Sequence, residues 1–139
     1  MSNIQDIYTS IANMKVGSVK ARNINKVKLA VRNTDLPMRL LLPSTSAEGD
    51  FIMIGNLQNV GWAIRDLCLW APLSAGKGVE QFAESMLDYI SLYIAQVKEN
   101  RNPATNATIV GVEAQMGPVP WGETDYWAVD ITVTVEEII

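Results

Sequence analysis

The stretch GWAIRDLCLWAPLSAGKGV, residues 61–79, gathers the residue types in this chain that chemistry most often uses. Gly76-Lys77-Gly78 invites a phosphate-binding reading. A Walker A loop, however, needs a glycine five positions before its GK pair and a Ser or Thr directly after it, so that backbone amides wrap the phosphates and the hydroxyl holds magnesium. Those positions carry Ala71 and Gly78. The motif fails at both, and Lys77 is expected in a strand-to-helix connection. Cys68 is the chain's one cysteine and lies between Leu67 and Leu69. It reads as a small buried hydrophobe rather than a nucleophile, since no histidine is present to activate it. Asp66 and Asp130 both fall within extended runs, and two carboxylates can share acid and base roles. Asp66 beside Arg65, and Asp130 on a Thr-rich face, read more simply as members of ion pairs within the chain or at an interface.

Composition narrows the possibilities further. The chain has 139 residues, 48% hydrophobic and 19% charged, with no histidine. That length suits one domain, 1–139, with a core of its own. The missing imidazoles remove histidine catalysis, and a lone cysteine leaves no zinc set and no internal disulfide. No cofactor, metal or nucleotide is expected. MSNIQDIYTSIANMK lacks the basic start and apolar block of a signal peptide, and no run reaches about 18 apolar residues, so the expectation is an intracellular protein without membrane contact.

Charge is distributed unevenly. Residues 1–45 carry Lys15, Lys20, Arg22, Lys26, Lys28, Arg32 and Arg39 against Asp6 and Asp35, a balance of +5. The other 94 residues carry four basic and thirteen acidic groups, a balance of −9, which together give the net −4. Such asymmetry is either solvated surface or a pair of complementary patches, one able to meet a neighbouring copy or DNA.

Periodicity supplies the elements that must position these groups. Asn3 is suited to cap a short helix whose Ile4, Ile7, Tyr8 and Ile11 recur at helical spacing, ending near Met14 and Gly17. Lys26 to Arg32 alternates, with Val27, Leu29 and Val31 opposite Lys26, Lys28 and Arg32, as a strand with a basic face does. LPMRLLLP predicts an apolar strand bounded by Pro37 and Pro43, and PSTSAEGD, 43–50, a loop. Residues 51–54 and 61–70 read as strands broken by GNLQN. The second is apolar on both faces and therefore central.

From about 78 to 99 the period becomes helical, with Val79, Phe82, Ala83, Met86, Leu87, Ile90, Tyr93, Ile94 and Val97 forming one apolar stripe. After RNPATNA, 108–116 and 125–136 form a closing hairpin around GPVPWGET. Trp62, Trp70 and Trp127 fall on core faces, leaving Trp121 as the exposed loop aromatic. The segment 71–107 is long enough for a crossover that makes strands 62–70 and 108–116 run parallel. The fold class expected is α+β: a single domain with a mixed, mostly antiparallel sheet, a short N-terminal helix and a long amphipathic helix, about 78–99, on one face.

This order of elements, with strands of the type "DLPMRLLLP", "GWAIRDLCLWAP" and "DYWAVDITVTVEE", resembles the tail terminator (tail completion) proteins of tailed bacteriophages, especially the lambda-like group. The resemblance covers nearly the whole chain but not 18–33, and it is one of pattern without an invariant motif. It implies a structural virion protein rather than an enzyme, assembled in the host cytoplasm. Six copies would form a ring that caps the tail tube, ends its polymerisation and joins the head. The partners it implies are further copies of itself, the tail tube protein, the head-tail connector or neck protein, a sheath protein if the tail contracts, and DNA passing transiently through the lumen. Lys20, Arg22, Lys26, Lys28, Arg32, Arg65, Asp66 and Asp130 are the candidates for a subunit interface or lumen, and Trp121 for a loop contact. Another neck component, a tail tube protein, a small enzyme using Asp66, Asp130 and Lys77, or a small binding domain are the alternatives.

Overall fold

The computed structural model describes residues 3–17, 19, 21–22, 36–54, 57–73, 80 and 82–138, with backbone alone for 21–22, 43–54 and 57–58. Two helices, α1 (Ile4–Asn13) and α2 (Ala83–Glu99), accompany strands β1 (Ala21–Arg22), β2 (Met38–Ile54), β3 (Leu57–Pro72), β4 (Ala107–Trp121) and β5 (Thr124–Ile138). The sheet order is β1-β2-β3-β5-β4. All four long strands pair antiparallel, and only the short β1 runs parallel to its neighbour β2. The domain is α+β. The basic strand predicted over 26–32, with Lys26, Lys28 and Arg32, lies outside the described residues, as do Lys20 and Lys77.

The chain crosses from β3 through α2 to β4, and β5 then returns between them. Strands 62–70 and 108–116 therefore do run in the same direction, but they are not neighbours. Alternation along β5 explains its central place: Val129, Ile131, Val133 and Val135 are buried, while Asp130 and Thr132 are half-buried and Thr134 and Glu136 exposed. The odd-numbered residues join Ile64 and Cys68 of β3 with Ile7 and Ile11 of α1 and Met86, Tyr89, Tyr93 and Val97 of α2 in the main core. A smaller cluster on the opposite face unites Met38, Leu40, Leu67, Leu69, Tyr126 and Ala128. Residues 64–69 of β3 are thus covered on both sides, as their composition requires.

Several sequence expectations need correction. Residues 43–50 are not a loop, because β2 continues through them and pairs again from Ser46 to Asp50. Pro43 falls where the register shifts between Leu42 and Ser46, a point at which its missing amide breaks no ladder bond. GNLQN is only partly a break, since β3 begins at Leu57. Helix α2 starts at Ala83, with 78 and 79 outside the described residues. Its buried residues are Met86, Tyr89, Tyr93 and Val97, so the face is turned from the predicted stripe: Leu87 is 55% exposed and Ile94 52%. At 100° per residue, 87 and 94 sit one step round from 86 and 93, far enough to leave the sheet.

Asn3 precedes α1 without capping it through its side chain. Its backbone N–H donates instead to Glu137 Oε2 at 2.6 Å, and its Nδ2 to the Thr105 carbonyl at 3.2 Å. GPVPWGET belongs mostly to β4. The turn is only Gly122–Glu123, with φ 63° at Gly122, where glycine enters the left-handed region without a Cβ penalty.

Candidate functional site

The most organised polar group in the fold lies under the two helices. Arg39 of β2 and Cys68 of β3 are cross-strand partners, and so are Leu41 and Asp66. This register brings Arg39 and Asp66 to the same face as α1 and α2. Arg39 Nη2 donates to Asp66 Oδ2 at 2.5 Å and Nε to Oδ1 at 3.3 Å, with both side chains fully buried. Two more guanidinium hydrogens reach the end of α1: Nη1 donates to the Met14 carbonyl at 2.8 Å and Nη2 to the Ile11 carbonyl at 3.2 Å. Helix C-termini leave carbonyls without partners and carry partial negative charge, so a cation there satisfies both needs. Tyr93 Oη of α2 donates to Asp66 Oδ2 at 2.7 Å, and its ring lies 5.6 Å from the guanidinium carbon.

Four elements thus meet at one ion pair. Burial opposes the charge on Arg39 more than any other influence, yet the Asp66 carboxylate more than compensates and holds the guanidinium above its ordinary pKa. Burial raises Tyr89 and Tyr93, and the Asp66 charge raises both further. Burial, helped by Asp66, pushes the Cys68 thiol up to about 12. A buried thiol held protonated in this way is a poor nucleophile.

On the opposite face a second pair is half open. Arg65 donates to Asp130 through Nε, at 2.9 and 3.1 Å to the two carboxylate oxygens, and through Nη2 at 2.8 Å to Oδ2. The side chains are 35% and 25% exposed. The hydrogen bond to Asp130 raises the Arg65 pKa. At the far end of β5, the buried Glu137 accepts from the Asn3 N–H and from Trp62 Nε1 at 3.2 Å, which ties the start of α1 to the sheet.

These positions settle the sequence candidates that fall on described residues. Asp66 is partnered by Arg39 and not by adjacent Arg65, since neighbours in a strand point to opposite faces. The same parity separates the two aspartates: Asp66 opposes Ile131 on the helix side, whereas Asp130 opposes Leu67 on the other. They cannot act as one acid-base pair. Asp66, being fully buried, offers nothing to a subunit interface or lumen, while Arg65 and Asp130 remain partly accessible. Arg22 is the second residue of β1, opposite Leu40, and is described by its backbone alone. Trp121 is not an exposed loop residue. It is half-buried, ends β4 and packs on the smaller cluster.

Sequence reasoning missed Arg39 and Glu137. A lone arginine inside PMRLLLP, set against a lone aspartate inside IRDLCLW, is the signal that could have found the first pair. Each stands where only a partnered charge survives burial.

Elsewhere, an open cleft of about 400 Å³ lies between the C-terminal ends of α1 and α2, lined by Ser10, Asn13, Met14, Lys15, Gln96 and Asn100. Among the described residues no three Cys, Asp or Glu side chains converge as a metal site, and no helix is long and apolar enough to cross a membrane. Neither family models nor curated proteins match this chain in sequence.

Among the described residues, the outer side of the sheet is a further surface feature. β4 ends the sheet order, and its residues Glu113, Ala114, Gln115 and Met116 are all exposed. Among the described residues no strand pairs with the outer side of β4, and a strand edge of that kind presents a row of backbone donors and acceptors.

Proposed function

We propose that the chain is a structural subunit of a phage tail, a tail terminator, six copies of which form a ring. The ring caps the tail tube, halts its growth and offers a joining surface to the head connector. The likeness of element order to that family carries this reading, from the short N-terminal helix to the "DYWAVDITVTVEE" strand. Helix α2, read as the amphipathic helix covering one sheet face, belongs to the same pattern. Two features of the fold support it. Arg39 with Asp66 and Arg65 with Asp130 are engaged in internal pairs, and among the described residues no strand lies beyond β4, which leaves that edge for assembly. DNA contact in the lumen and a virion location follow from the same reading, without need of a cofactor.

Light scattering of the purified chain tests the ring, with a mass near six subunits expected. Adding the chain to growing tail tubes is expected to cap and shorten them. A stable single-copy species at every concentration, together with unaltered tube lengths, refutes the reading.

A further inference from the structure

Helix α2 carries a second seam on the side away from the sheet. Its core contacts come from Met86, Tyr89, Tyr93 and Val97. At 100° per residue, Glu84, Leu87, Ser91, Ile94 and Lys98 lie together on the far side of the helix, within an arc of about 80°. All five are exposed. They recur at alternating steps of three and four, the spacing by which one helix packs along another.

The order of residue types along this seam is its own complement when reversed. Ser91 is the midpoint: Glu84 lies seven positions before it and Lys98 seven after, while Leu87 precedes it by four and Ile94 follows it by three. A two-fold axis through Ser91 sets a second α2 antiparallel to the first, with Glu84 of each copy opposite Lys98 of the other and Leu87 against Ile94. At 1.5 Å per residue the charged ends stand about 21 Å apart on both helices, so both ion pairs form at once. On the axis Ser91 meets its own copy, and it and the exposed Ala95 are small enough to let the backbones approach. Asp88 falls beside Ala95 of the other copy, so the seam brings no like charges face to face. Antiparallel packing also sets the positive end of each helix dipole beside the negative end of the other.

The terminal charges have an intramolecular use as well. Glu84 in the first turn and Lys98 in the last each suit the dipole of α2 itself. That use leaves Leu87 and Ile94 in water, whereas a second copy covers them.

We infer that α2 pairs antiparallel with α2 of a second copy about a two-fold axis at Ser91, through an apolar centre of Leu87 and Ile94 closed at each end by Glu84 and Lys98. Complementarity of the seam to itself, in charge and in spacing, identifies the occupant as this same chain. A contact of about four turns is at the small end of specific interfaces, so the pairing depends on concentration. It is isologous and closes at two copies, which makes it a different contact from the head-to-tail one that a ring requires. The pairing goes beyond the ring reading and does not rest on it.

Ser91→Cys tests the axis. With an added thiol oxidant this variant is expected to link into a two-chain product, while Ser85→Cys, exposed on another side of the helix, is not; Cys68 is buried and does not compete. Leu87→Glu with Ile94→Glu is expected to raise the dissociation constant of the pair at least about tenfold in sedimentation, since each copy then puts two charges into the apolar centre. Both sites are exposed, so the melting temperature of the dilute chain should not move. Glu84→Lys sets like charges together at both ends and is expected to weaken pairing. Adding Lys98→Glu is expected to restore it, although the double exchange opposes the helix's own dipole. Loss of pairing halves the mass, from two rings to one where rings form and from two copies to one where they do not, so the result is read apart from the ring. Three outcomes overturn the pairing: Ser91→Cys that links no faster than Ser85→Cys, a mass indifferent to dilution and to Leu87→Glu with Ile94→Glu, or a double charge exchange that restores nothing.

Discussion

Replacing Arg39 with Met puts the central ion pair to a quantitative test. The substitution keeps most of the side-chain volume but leaves an uncompensated Asp66 carboxylate with no solvent access, the Met14 carbonyl without its donor, and the Ile11 carbonyl with only the Met14 N–H. Breaking one partner of a buried pair costs about 3–5 kcal/mol. Against a typical total of about 5–15 kcal/mol, that removes a large share of the stability. At about 4 °C per kcal/mol for a domain of this size, the melting temperature should drop by about 12–20 °C. Asp66→Leu should cost a similar amount, because it strands the guanidinium. The double variant should be less destabilised than either single one, since no buried charge remains; what persists is the orphaned Tyr93 hydroxyl and the Met14 carbonyl, at about 1–3 kcal/mol each if dry. Urea unfolding of all four proteins gives the coupling energy. Single variants that cost less than about 1 kcal/mol at unchanged m, or costs that simply add within about 0.5 kcal/mol, would refute the claim that these groups form one closed unit.

Three other outcomes follow from the geometry. Cys68 should resist alkylation in the folded protein, and because its pKa rises from an ordinary 9 to about 12, its stabilising contribution is complete below about pH 9 and is lost as pH climbs toward 12; an alkaline stability profile flat up to pH 12 would contradict this. Met86→Ala should cost about 2–5 kcal/mol, as core truncations do, whereas Leu87→Ala should stay within about 0.5 kcal/mol, and thermal melts that reverse the order would place the wrong face of α2 on the sheet. Arg65→Ala should cost under about 1 kcal/mol, less again at high salt, since the Asp130 pair is partly exposed; a larger, salt-independent loss would show that the pair is closed to water.

The parts of this fold legible in sequence are those where one physical signal acts alone. Strict alternation identifies the last strand, and Ile7 and Ile11 identify the buried stripe of α1. Legibility fails where two signals compete. Pro43 in a loop-like composition outweighed the extended pairing that a bulge allows. In α2, apolar residues surround more of the helix than the sheet can cover, so Leu87 and Ile94 look like core while Tyr89 is. Arg39 was hidden among six other basic residues of the N-terminal third, although its apolar neighbours set it apart. Partnership across strands depends on register, which no local pattern carries; Asp66 therefore looked like the partner of the arginine beside it rather than of one 27 positions earlier.

The β4 edge bears on assembly. A long edge strand is ordinarily protected by lysines, by inward-pointing charges or by covering elements. β4 has prolines only toward its turn, a single charge in Glu113, and exposed apolar groups at Ala114 and Met116. Left open, such an edge would pair without control. Protection by a specific partner is the alternative to protection by charge, and the partner must itself be unable to satisfy the edge from within its own chain, or the molecule would close on itself. Among the described residues no strand lies beyond β4, so on the ring reading proposed above the mate of this edge is another copy.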